Sequence, residues 1–156
     1  MKKRWHSGSG QSVSFDSMLE KIDEYISDGG RVFIGTDSQI QGDICVFATA
    51  ICLHDMKGKR YSKYFFRKSR EKTKLFKILR SRIMKEVQNS LDVYMLLLER
   101  YPDVDIEIHV DIGRTSRSAT RVFVDTVTGW LKGVGVDCKI KPDSWASSSM
   151  ADRHTK

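Results

Sequence analysis

Apolar and polar positions along the chain change period several times, and each change marks an element. Phe15, Met18, Leu19, Ile22, Tyr25 and Ile26 recur at helical spacing behind Ser14, a residue suited to cap a helix, and Gly29-Gly30 stops the run. Val32, Phe33 and Ile34 form a short apolar run that predicts a strand buried on both faces. It ends at Asp37, among the polar residues Thr36, Ser38 and Gln39. Gly35, two residues before that acid on the same strand face, leaves room for a phosphate or another element to approach. After a polar turn through Gly42, residues 44–53 are apolar on both faces and read as a long buried strand. Residues 54–59 have hairpin composition, and residues 60–67 alternate aromatic with basic side chains, giving a third, antiparallel strand.

The second half reads as two helix and strand pairs. From Thr73 to about Glu99, Leu75, Leu79, Ile83, Val87, Leu91, Tyr94 and Leu98 hold a helical stripe, closed by Pro102. Residues 104–111 alternate as a strand does, and Gly113 breaks them. Ser116 or Ser118 caps a helix carrying Val122, Phe123, Val127, Trp130 and Leu131, with a stop at Gly133 and Gly135. Residues 136–140 make a short last strand before Pro142, and residues 147–156 are long enough for one or two helical turns. Three strands in a meander followed by two helix and strand pairs form a mixed sheet with helices on both faces. The layout expected is that of ribonuclease H: a five-stranded sheet of order 3-2-1-4-5, preceded here by an N-terminal helix.

Composition narrows the function. The 156 residues suit a single domain, taken as residues 14–156, behind a flexible basic segment of residues 1–13 in which Trp5 is a possible anchor. A net charge of +7 favours polyanionic partners, nucleic acid before an anionic membrane surface. Cys45, Cys52 and Cys138 form no CxxC pair, which argues for reduced thiols in the cytoplasm and against a disulfide frame or a zinc knuckle. No apolar run reaches the length of a membrane span, and the basic N-terminus lacks the apolar core of a signal peptide. His6, His54, His109 and His154 have no metal-binding spacing. A P-loop, a GxGxxG turn and a GxSxG elbow are all absent, so neither nucleotide-fold nor covalent chemistry finds support.

The phrases Ile34-Gly-Thr-Asp-Ser-Gln39, His109-Val-Asp-Ile-Gly113, Lys141-Pro-Asp-Ser-Trp-Ala146 and Ala151-Asp-Arg-His-Thr-Lys156 resemble the YkuK-like family, bacterial proteins placed in the ribonuclease H superfamily. The resemblance covers about residues 15–156 and implies the fold, with a nuclease activity by descent. Nucleases of the superfamily hold two Mg2+ or Mn2+ ions roughly 4 Å apart between three or four carboxylates, for a water nucleophile and a leaving oxygen. Asp37 corresponds to the acid on the first strand, and Asp111 to the acid ending the neighbouring one. The long helix is expected to supply a glutamate. At 100° per residue Glu86 lies about 60° from the centre of the apolar stripe and Glu99 on the far side, so Glu86 is the one able to lean toward the sheet. Arg82, one turn earlier, offers it an alternative life as half of a surface ion pair. The fourth acid is expected to be Asp152, in the terminal segment, with Asp143 as the other candidate. His154 beside Asp152 is a candidate for proton transfer. His109, on an alternating polar face, is left without a catalytic role.

Between Lys57 and Lys85 stand thirteen Lys or Arg residues and one acid, Glu71, interleaved with Tyr61, Tyr64, Phe65 and Phe66. Lys63, Arg67, Lys68, Arg70 and Lys74, with Arg114 and Arg117 beside Asp111, are the residues expected to follow a nucleic-acid backbone while an exposed aromatic stacks on a base. The sequence therefore supports a metal-dependent nuclease first, and second a module of the same fold that binds nucleic acid without cleaving it.

Overall fold

The computed structural model describes residues 4–55 and 63–156. Its elements are β1 (Trp5–Ser7), β2 (Ser12–Val13), α1 (Phe15–Ser27), β3 (Arg31–Gln41), β4 (Ile44–His54), β5 (Lys63–Lys72), α2 (Leu79–Arg100), β6 (Ile106–His109), α3 (Val124–Val134) and β7 (Asp137–Lys139). Two short helical turns, Ala146–Met150 and Ala151–His154, close the chain. The expected hairpin after His54 and the start of the third strand, with Lys57, Lys59, Arg60 and Tyr61, lie outside the described residues.

The expectation of five strands is corrected. Among the described residues one sheet holds seven, in the order β2-β1-β5-β4-β3-β6-β7. The addition comes from the N-terminal segment expected to be flexible: Trp5 and His6 pair with Val13 and Ser12, and His6 and Ser7 pair with Phe66 and Phe65 at the edge of β5. Trp5, 4% exposed, anchors this ribbon in the core. β3, β4 and β5 form the antiparallel meander, whereas β6 and β7 run parallel to β3, so the sheet is mixed.

Residues in register share a face of a sheet. Val32 and Ile34 of β3, Ile51 and Leu53 of β4, Phe65 of β5, and Ile106 and Ile108 of β6 form one apolar cluster with residues of α1, α2 and α3. On the other face Phe33, Ala50 and Cys52 pack against Ala146 and Ala151 of the terminal turns. α1 begins as its sequence predicts, with Ser14 Oγ accepting from the Ser17 amide at 3.1 Å. α3 ends at Gly135, whose φ of 85° is the left-handed turn that glycine adopts freely.

α2 starts six residues later than its hydrophobic stripe suggests. β5 runs on to Lys72, paired with Ile44. The Thr73 amide and hydroxyl then donate to the Asp43 and Gly42 carbonyls, both at 2.8 Å. Leu75 and Ile78, which fit the stripe by spacing, are 58% and 69% exposed, so packing does not extend the helix over them. Glu71 is a residue of β5.

Candidate active site

Alternation along β3 sends Thr36 and Ser38 to the helix face and Gly35 and Asp37 to the opposite one. Thr36 Oγ1 lies 2.8 Å from Ser90 Oγ and 3.0 Å from Thr49 Oγ1, a buried hydroxyl chain that ties α2 to β3 and β4. One helical turn before Ser90, Glu86 is buried and accepts a hydrogen bond from Ser38 Oγ at 2.6 Å. Glu99 is exposed, as its azimuth requires. Arg82 makes no ion pair with Glu86 among the described residues and attracts it only from a distance.

On the opposite face, Gly35 lies under the terminal turns. A Cβ there would stand 2.3 Å from the Ser147 nitrogen and 2.5 Å from the Ala146 carbonyl carbon, so only glycine admits this backbone. The element whose approach Gly35 permits is thus the chain's own terminal segment. Its docking brings Thr155 over Asp37, Thr155 Oγ1 donating to Asp37 Oδ2 at 3.0 Å. Gln41, four residues on along the same face of β3, donates to the Thr155 carbonyl.

β6 pairs with β3 only as far as His109 opposite Gly35, which leaves the β3 edge beyond that point open. Asp111 follows there in a segment whose Val110 amide donates to Lys139 and whose Ile112 carbonyl accepts from Lys141. Asp111 Oδ1 is buried without a hydrogen bond, although Lys141 Nζ stands 3.3 Å away, within ion-pair reach but misaligned for a hydrogen bond. Asp152 pairs with Lys156 at 3.0 Å.

Two of the acids are perturbed by burial and by their neighbours. Burial, with the charges of Asp37 and Asp111 adding to it, pushes the Glu86 carboxyl up to about 8 against the pull of the Ser38 hydroxyl. Burial also pushes Asp37 up to about 6; Thr155 opposes this, and Asp152 and Asp111 add repulsion. Asp143 is exposed and is not among the charges acting on Asp37 or Glu86. Asp37, Glu86, Asp111, Asp152 and the neighbouring hydroxyls offer oxygen atoms of the kind a hard divalent cation takes, and the buried Asp111 Oδ1 has an ion-pair partner in Lys141 but no hydrogen bond. In the conformation described, Ser38, Thr155, Lys141 and Lys156 each hold one acid. Among the described residues no three His, Cys, Asp or Glu side chains are grouped to ligate a common ion.

His154 is not brought to the carboxylates. Its ring stacks on Phe66 at 3.6 Å between centroids and its Nε2 meets Tyr64 Oη at 2.8 Å. Burial and the cations Lys68 and Arg153 lower its pKa. His109, by contrast, has a role that alternation alone does not reveal. Its Nδ1 accepts the Ala146 amide at 3.0 Å, which places the ring proton on Nε2, 2.8 Å from Glu107 Oε1. Arg31 reaches Glu107 Oε2 at 3.3 Å, so a buried chain from β3 through β6 pins the start of the terminal turns.

Register also sorts the expected basic residues. Asp37, Ala48 and Lys68 form one row on the active face, and Gln39, Val46 and Arg70 the next. Lys68 and Arg70 are exposed there, about 10 Å and two strands from the acids. Arg70 and Lys74 line a basic crevice of 670 Å3 with Lys72 and Lys77. Arg67 belongs to the other face, where its guanidinium lies 5.1 Å from the Trp5 ring centroid and burial lowers its pKa. Lys63 is exposed at the start of β5; Arg114 and Arg117 are exposed in the loop after Gly113, Arg114 standing 4.0 Å from Asp125. Among the described residues no helix is long and apolar enough to cross a membrane.

A family model described as "Ribonuclease H-like" matches residues 14–156. The chain is similar to the uncharacterised protein YkuK of Bacillus subtilis (strain 168), with 29% identity over 163 aligned positions that cover 92% of each chain. No solved structure matches. With a mixed sheet, an acid on the strand β3 that joins its antiparallel and parallel halves and a family match over nearly its whole length, this chain belongs to the ribonuclease H-like family.

Proposed function

We propose that the protein is a divalent-metal-dependent nuclease that hydrolyses phosphodiester bonds in nucleic acid. The observation that carries this reading is that burial raises the carboxyls of both Asp37 and Glu86, residues distant in sequence, with Asp111 adding repulsion to each and Asp152 to Asp37. Carboxyls pushed up by burial and by neighbouring acids cluster at functional sites. Mg2+ or Mn2+ held by these four would supply Lewis-acid stabilisation at the phosphoryl group and a water of lowered pKa. The chain's own part is to hold the ligands. Ser38 orients Glu86 through Oε1. Thr155 orients Asp37 through Oδ2, and the Arg31, Glu107 and His109 chain fixes the segment that carries Asp152. Lys68 and Arg70 lie on the same face to receive the flanking phosphates.

A second reading, a module that binds nucleic acid without cleaving it, is favoured by Lys141 and Lys156, which already neutralise Asp111 and Asp152. The deciding experiment incubates labelled single strands, duplexes, hybrids and branched junctions with the protein in Mg2+ or Mn2+, beside Asp37→Asn. Cleavage by the parent chain alone supports the nuclease. Equal retention of substrate by both proteins, with no cleavage of any, supports the module.

A further inference from the structure

The active face carries a second feature that phosphodiester chemistry does not use. Beside the terminal turns lies an open cavity of 480 Å3, lined among others by Phe33, Tyr64, Trp145 and Met150, with Arg31, Lys63 and Arg153 on its wall. Its floor is built by register: Phe33, Cys52 and Tyr64 form the row next but one to the row of Asp37. Trp145 meets the Phe33 ring edge-on at 4.9 Å, which holds its indole upright against the sheet while it stays half-buried. Three cations and no carboxylate line the cavity among the described residues, Arg31 among them also pairing with Glu107 and Asp105, on the face that carries Asp37 a short way along β3. A flat, apolar group carrying a negative charge fits both its floor and its wall.

Resting on the reading of this face as a nuclease, we propose that the cavity holds one nucleobase of the substrate strand, stacked against Trp145 and Tyr64, with its phosphate toward Arg153 and Lys63. Phe33 and Asp37 are four residues apart on one strand, so the cavity lies about 13 Å from the acids. That span corresponds to about four nucleotides of a stacked strand and fewer of an extended one. A base held there fixes how far from its bound end a strand is cut. Stacking on π-faces and ion pairing with phosphate discriminate little between bases, so the cavity sets register rather than sequence. It also requires an unpaired base, because a base inside a duplex cannot present both its faces to side chains.

The test uses the full chain carrying Asp37→Asn, without divalent metal, so that binding is read apart from cleavage. AMP, UMP, adenosine, inorganic phosphate and dodecanoate are titrated by calorimetry and by tryptophan fluorescence. Saturable binding of both mononucleotides, tighter than either adenosine or phosphate, is expected. Quenching is expected to disappear in Trp145→Phe, which keeps a ring in place, and affinity to fall about tenfold in Trp145→Ala or in Lys63→Glu combined with Arg153→Glu. Absence of mononucleotide binding overturns the proposal, as does binding that ignores all three variants or binding of dodecanoate alone. The two readings fail separately: cleavage whose product lengths are the same in Trp145→Ala removes the base site and leaves the nuclease. Mononucleotide binding in a chain that cleaves nothing removes the nuclease and leaves the base site.

Discussion

Ser38 and Glu86 meet at 2.6 Å between β3 and α2, and the neighbouring pair Thr36 and Ser90 meets at 2.8 Å. Two residues along a strand advance about 6.6 Å, and four along a helix about 6 Å. The two spacings match, so the hydroxyl of Thr36 fixes the helix and the hydroxyl of Ser38 then finds the glutamate. Ser38→Ala removes the donor that stabilises the Glu86 carboxylate and holds its pKa down. The Glu86 pKa is expected to rise above about 8. Affinity for Mn2+ at neutral pH, measured by calorimetry, falls about tenfold while stability changes by about 1 kcal/mol.

Glu86 and Asp37 both have pKa values raised by folding, to about 8 and about 6. Groups raised in the folded state contribute stability that is complete below their unfolded pKa and lost as pH rises through the folded one. Metal-free protein is therefore expected to melt at progressively lower temperature between pH 4 and pH 8. Glu86→Gln removes the larger part of this slope and raises stability at pH 8 by on the order of 2 kcal/mol. Mg2+ should stabilise the parent chain and leave the variant nearly unmoved. Differential scanning calorimetry across the pH range, with and without Mg2+, reads all three effects.

Gly35→Ala puts a methyl group into the backbone of Ala146 and Ser147. Displacement of the terminal turns, which carry Thr155 and Asp152, is expected to cost about 1–3 kcal/mol of stability and to abolish cleavage. Retained cleavage with an unchanged melting temperature would remove that segment from the site.

The basic surface divides by face. Lys68→Glu with Arg70→Glu is expected to weaken strand binding and to reduce the slope of log affinity against log salt by roughly 0.7–0.9 for each phosphate no longer neutralised. Arg67→Gln should leave affinity unchanged and reduce stability by about 0.5–1 kcal/mol, because no cation then lies over the Trp5 ring. Binding titrations at several salt concentrations separate the two.

The acids are legible in the sequence where local geometry decides. Asp37 comes after the apolar run of Val32 to Ile34, although β3 continues past it to Gln41, Asp111 comes after β6, and the azimuth of Glu86 turns it to the sheet. The hydroxyls that hold the acids are not legible in the same way. Ser38 is turned to α2 by strand alternation, but its partner depends on helix register, and Thr155 reaches Asp37 only because Gly35 admits a segment more than a hundred residues away. β1 and β2 escape a reading by periodicity because three and two residues are too few to display a period of two. The start of α2 is misplaced by the same reading because Leu75 keeps helical spacing while facing solvent. His154 gains its catalytic candidacy from its place beside Asp152. The turn that carries both directs its ring to Phe66 instead.

Anomalous scattering from a crystal soaked in Mn2+ tests the central claim most directly. The account expects manganese bonded to Asp37 and sharing oxygens of Glu86, Asp111 or Asp152, with Lys141 drawn away from Asp111. Saturating manganese that leaves Asp37 free of any ion, with Ser38 still holding Glu86 and Lys141 still beside Asp111, would contradict it.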